Sequence, residues 1–229
     1  MDQSSLSLLS RFSGYALLIL SLFDLLDILI PLHLMDSLWQ FETLGQLVER
    51  VPIPIIGLFL VFYGVRDWLA KWEKSLLNII SLGTLLAGIG YLILVPVGVV
   101  SALQIDRFND NQMKQQIAQN ATQGDSIKKQ IKEIKTETQM QALLNKIEQV
   151  PPEISESQQL ENSKQKLTNL ITVGAENLAN QSQQNYFQKR LQLLKQSVKW
   201  NLGSLITGVL FIVIWNMTKF VYSDLEYDN

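Results

Sequence analysis

Two aspartates, Asp24 and Asp27, interrupt an otherwise apolar run from Gly14 to Leu34. Spaced i and i+3, they share one face of a helix. A carboxylate near a bilayer centre costs about 2.5–3.5 kcal/mol on insertion scales, so something must offset it. One reading is a proton or cation relay, or a polar anchor for a partner helix. That reading makes the chain a small transporter or ion-conducting subunit. The other is a helix that begins earlier, near Leu6, and sets both acids toward the far interface or against Tyr63, Tyr91 or Thr84. Paired acids also suit general acid–base chemistry, as a membrane glycosyl- or acyltransferase requires. Here they share one helix and come without a basic phosphate-binding pocket. The chain has no cysteine and a single histidine, His33. Thiolate and multi-histidine metal sites are therefore excluded, and no nucleophile elbow accompanies His33. His33 reads as a solvated or snorkelling side chain. No catalytic, cofactor-binding or metal-ligating residue is nominated, no cofactor is expected, and the chain is expected not to be an enzyme.

The elements that would carry these acids are helices. Leu76 to Leu103 contains no charged residue over 28 positions, more than the roughly 20 that cross a bilayer core. Once this segment spans, its neighbours are read in lipid, where backbone polar groups must be satisfied inside a helix or against protein. The expectation is an all-α, four-span helical membrane protein. Its spans are placed at about 14–34, 53–72, 76–100 and 200–222. Asp36 to Val51 repeats Leu38, Phe41, Leu44 and Leu47 or Val48 at helical spacing, an amphipathic helix at the membrane surface with Trp39 at headgroup level. Pro52 and Pro54 open the second span, where missing N–H groups cost little. Gly83 and Ala87 in the third span, and Ser204 and Gly208 in the fourth, are spaced for close helix packing. Such faces serve self-association as readily as packing within one chain, so a homo-oligomer is among the expectations.

Between the third and fourth spans the composition changes. Gln104 to Lys199 is rich in Gln, Asn and Lys and holds 13 basic against 10 acidic residues, a net +3. The overall charge is -2, and neither part is basic enough to expect nucleic acid as a partner. Ile127, Ile131 and Ile134, then Leu143 or Leu144, Ile147 and Val150, follow helical spacing up to Pro151 and Pro152. Asn120 to Ser126, with Gly124, is expected to break this arm. A second arm from Ser155 carries Leu160, Leu167, Leu170 or Ile171, Leu178, Phe187, Leu191 and Leu194. Both ends join membrane segments, so the expectation is an extramembrane helical hairpin, coiled-coil-like, inserted between spans 3 and 4. The predicted organisation is thus a membrane domain at 1–103, the hairpin at 104–199, and the fourth span with an acidic tail at 200–229.

Arg66, Lys71 and Lys74, flanked by Trp68 and Trp72, mark a cytoplasmic turn by the positive-inside rule. Four spans then leave both termini cytoplasmic and the hairpin outside. The run from Trp39 through Gln46, Leu47, Val48, Glu49 and Arg50 to Ile55, Ile56 and Gly57, with the later Phe62, Tyr63 and Gly64, resembles the HpsJ-like membrane proteins of cyanobacteria. So do LLNKIEQVPPEIS and the closing LKQSVKWNLGSLITGVLFIVIW. The resemblance covers most of the chain in order. It implies an accessory protein of a cyanobacterial envelope or thylakoid membrane, tied to making or exporting the hormogonium polysaccharide, and carries over no catalytic residue. A non-catalytic scaffold is therefore the preferred function, with membrane lipid and other membrane or envelope proteins as partners. The alternatives are the ion-conducting subunit built on Asp24 and Asp27 and an accessory subunit of a photosynthetic complex.

Overall fold

The computed structural model describes residues 3–63, 71–144 and 160–219. Among them every regular element is an α-helix: α1 Gln3–Leu29, α2 Ser37–Arg50, α3 Pro52–Phe62, α4 Lys71–Glu133, α5 Glu137–Leu144 and α6 Leu160–Thr218. Three helical stretches are long and apolar enough to cross a membrane, within Ser7–Leu29, Trp72–Glu133 and Glu161–Thr218. A fourth qualifies if α2 and α3, bent by 40° at Val51, are taken as one span. The chain forms two units, Met1–Ile105 with Gln192–Asn229, and Asp106–Leu191.

In the first unit, the local sequence explains where helices start and stop. The Asp36 carboxylate accepts from the Leu38 amide at 2.9 Å and caps α2, filling one of the donors that a helix start leaves open. Pro52 and Pro54 lack N–H groups and crowd the carbonyls four residues back, which gives the bend between α2 and α3 a physical cause. Alone, the 11 residues of α3 rise only about 16 Å, half the depth of a hydrocarbon core. The expected span at 53–72 is thus helical over Pro52–Phe62 and again from Lys71, and residues 64–70, including Arg66 and Trp68, lie outside the described residues. The first apolar helix also differs from the expected 14–34: it runs from Gln3 and ends at Leu29, because Pro31 disfavours helical backbone at the residue before it.

Small residues let these helices approach. A Cβ on Gly14 of α1 would stand 2.8 Å from the Gly57 carbonyl oxygen of α3, and Ser10 Oγ donates to the Leu60 carbonyl at 3.2 Å. Beside this contact Val61 and Leu77 are fully buried, packed by Tyr15, Leu18, Phe62 and Ile80. The apolar side of α2 rests on protein. Phe41 packs with Ala102, Leu193, Ile105 and Trp200, its ring 4.8 Å from the Trp200 ring. Gly45 faces Trp200, Gly98 faces Leu44, and Gly203 faces Val48. The expected surface position for α2 is therefore modified: its Phe41 and Leu44 face is taken up by α4 and α6.

The second unit has its own core of Ile131, Ile134, Met140 and Leu167, flanked by Ile127, Leu143 and Ile171. Asp106 lies beside Tyr186 and Arg190, while Gly124 faces Ile171. These contacts step in opposite directions along α4 and α6, as in an antiparallel pair. Burial and the Asp106 carboxylate raise the Tyr186 phenol above its ordinary pKa. The expected break at Asn120 to Ser126 is not there. Helix α4 continues to Glu133, and the chain leaves helical geometry at Ile134–Thr136. Gly124 is buried, with Ile171 Cγ2 3.5 Å from where its Cβ would be, and packing of this kind offsets the ~1 kcal/mol helix penalty of glycine. Leu178 and Phe187, expected among the packing positions, are exposed. Ile147, Val150, Pro151 and Pro152 lie outside the described residues, as does the acidic tail.

Candidate functional site

Within the first unit, α1, α2, α3, α4 and α6 enclose an open cavity of about 430 Å³. Its walls are mostly aliphatic: Leu18, Leu22, Leu25 and Ile28 from α1, Leu47 from α2, Leu58 from α3, and Ile80 and Leu94 from α4. One stripe of α4 supplies Gly83, Ala87 and Gly90, and this stripe makes the room. Among the described residues nothing lies within 4 Å of a Cβ built on Gly83 or Gly90. A cavity of this size falls in the range of small-molecule sites.

The charged groups of this wall are Asp24 and Arg50. Arg50 Nη1 donates to Asp24 Oδ1 at 2.9 Å, with 41% of each side chain exposed. Arg50 lies in the last turn of α2, so the pair ties that helix end to α1. Neither Tyr91 nor Thr84 serves the acids. Tyr91 donates to the Leu47 carbonyl at 3.0 Å and Thr84 to the Ser81 carbonyl at 2.6 Å. Tyr63 is exposed and does not bond them. Asp27 is exposed and makes no hydrogen bond or ion pair among the described residues. The two acids are thus not brought to one site: Asp24 joins the cavity and Asp27 does not. His33 is exposed, its Nδ1 3.1 Å from the Pro31 carbonyl.

The small residues separate into two kinds. Gly83 and Ala87 line the cavity, whereas Ser204 and Gly208 press against α4. Ser204 Oγ donates to the Tyr91 carbonyl at 2.7 Å. A Cβ on Gly208 would meet the Gly88 carbonyl at 3.0 Å, and one on Gly88 would meet the Gly208 carbonyl at the same distance. Ser81 and Thr218 hydroxyls share a hydrogen bond of 2.9 Å further along the same pair.

Three features escaped the sequence reading. Arg50, named there only within the run that carries the resemblance, is the partner of Asp24. Arg11 donates from Nη1 to Glu73 Oε1 at 2.8 Å, with side chains only 9% and 15% exposed, and its Nε is buried with no hydrogen-bond partner among the described residues. Gly88 and the Gly14 and Gly57 pair carry closer contacts than the Gly83 position. A cation beside an apolar run that also holds an acid was the available signal for Arg50. The glycines offered none, because spacing defines a face and not its neighbour.

Among the described residues the protein is all-helical, with helices long and apolar enough to cross a membrane, close glycine contacts and an apolar cavity that holds one ion pair. The profile of the HpsJ-like protein family matches residues 5–219, and the chain belongs to that family. No curated protein and no solved structure matches it.

Proposed function

We propose that this chain is a non-catalytic integral membrane accessory protein that supports the making or export of a polysaccharide, with the 106–191 unit as its docking element. Family membership supports the polysaccharide assignment, since the HpsJ-like description belongs to hormogonium polysaccharide biosynthesis. The observation that carries the docking role is the second unit itself. It buries its own small core of Ile131, Ile134, Met140 and Leu167 and leaves a surface of Gln, Lys and Glu with Leu178 and Phe187 exposed upon it. In this reading α1, the bent pair α2 and α3, the apolar part of α4 and that of α6 are four spans. Both termini face the cytoplasm, and the membrane is a cyanobacterial plasma or thylakoid membrane. The Arg50 pairing favours a holding role for Asp24 over proton or cation relay, because the pair ties the last turn of α2 to α1.

The test is affinity purification from native membranes in mild detergent, comparing the full chain with one lacking residues 104–199. A defined set of partners lost with the deletion supports the docking role. Retention of the same partners moves docking to the membrane segments and removes the basis of the proposal.

A further inference from the structure

We propose that the cavity of the first unit is a binding site for an amphiphile whose hydrocarbon chain fills it and whose oxyanion headgroup, phosphate or sulfonate, is held by Arg50. The site rests on the membrane-integral reading above, because only there is the medium outside α1 and α4 hydrocarbon. Three observations converge on it. The wall is aliphatic, and apolar cavities of even about 150 Å³ stay dry and take up hydrocarbon ligands. Gly83, Ala87 and Gly90 line the cavity, and among the described residues nothing fills the space beside the two glycines, whereas the other described glycines of this unit admit a neighbouring side chain or carbonyl. Space at helical spacing has thus been left open rather than filled, in the shape of a chain lying along α4.

The third observation is charge. Arg50 faces the cavity and donates one hydrogen bond among the described residues, from Nη1 to Asp24. A guanidinium has five N–H donors in a planar fork suited to two oxygens of a phosphate or sulfonate. Among the described residues Asp24 leaves most of that fork free, orients it, and neutralises it while the site is empty. The carboxylate also limits affinity for an anion, so removing its charge tightens binding.

The probe is hexadecyl phosphate added to the purified full chain in neutral detergent micelles, read by native mass spectrometry. Carbonate extraction of native membranes, run separately, reports whether the chain is membrane-integral at all. The expected result is one hexadecyl phosphate per chain, with inorganic phosphate unable to displace it. Arg50→Gln weakens hexadecyl phosphate by about tenfold, the loss of a charge-assisted hydrogen bond, and leaves neutral hexadecyl maltoside unchanged. Asp24→Asn strengthens the phosphate probe. Gly83→Leu and Ala87→Leu fill the trough and weaken both probes by a similar factor. Octyl phosphate binds the wild-type chain more weakly than hexadecyl phosphate, a comparison that needs no variant to fold. Equal affinity for the two chain lengths, or displacement by inorganic phosphate, overturns the hydrocarbon part. Equal affinity for hexadecyl phosphate and hexadecyl maltoside, or no effect of Arg50→Gln, overturns the oxyanion part.

Discussion

At the scale of single residues, the decisive contacts are those where a side chain is missing or a charge is enclosed. Gly88 and Gly208 each stand where a Cβ would come within 3.0 Å of the other's carbonyl oxygen. Gly88→Leu must therefore push α4 and α6 apart, at a cost of about 1–3 kcal/mol for overpacking. Thermal unfolding in detergent, followed by circular dichroism, should show a lower midpoint. Gly83→Ala meets open space and removes a helix-destabilising glycine, so the same assay should show an unchanged or raised midpoint. The Arg11–Glu73 pair obeys a different rule. Removing one partner leaves an uncompensated enclosed charge, a loss of about 3–5 kcal/mol, whereas replacing both with apolar residues restores most of it. Arg11→Met should thus be far more damaging than Arg11→Met combined with Glu73→Leu, and a double-mutant cycle of unfolding free energies checks the order.

At the scale of elements, α2 shows how local and tertiary forces combine. Its Asp36 cap and the prolines that follow Val51 set where it begins and bends, and Phe41 against Trp200 sets where it rests. Its far end is held by Lys199 Nζ and Trp200 Nε1 on Glu49 Oε1, at 2.8 and 3.2 Å. Asp36→Ala removes the capping acceptor at about 1 kcal/mol. Hydrogen exchange should accelerate in the first turn of α2 and remain unchanged near Glu49. Uniform acceleration along the helix would mean that the cap holds the whole element in place. Helix α4 makes the converse point. Gly124 and Pro96, both formal helix breakers, lie inside it without ending it. Neighbouring helices supply packing at the first, and in a lipid setting proline is tolerated where surrounding groups re-satisfy the freed carbonyl.

At the scale of the whole molecule, the chain combines three membrane-length apolar stretches with a separate polar helical unit. The proposed four-span arrangement makes a topological prediction that the absence of native cysteine renders simple to test. In Gln183→Cys the thiol should react with a membrane-impermeant maleimide added to intact cells, while in Ser5→Cys it should react only after permeabilisation. Labelling of both positions from outside would require an even number of crossings between them, the outcome if α2 and α3 do not span.

The residues themselves determine a good deal of this. Uncharged length identifies the helices that can cross a membrane, isoleucines at helical spacing mark the core of the second unit at Ile127, Ile131 and Ile134, and the ordered motifs from Trp39 to Trp215 place the chain in its family. These are properties of periodicity and composition, which a chain carries before it folds. Tertiary structure alone decided that Asp24 meets Arg50 while Asp27 meets no partner among the described residues, that Gly88 makes the close contact while Gly83 opens a cavity, and that Gly124 is accommodated within α4. The physical reason is common to all three. Helical spacing tells which residues share a face, but the energy of a charge, a void or a glycine depends on what the opposing helix puts there, and that is settled only when the helices pack.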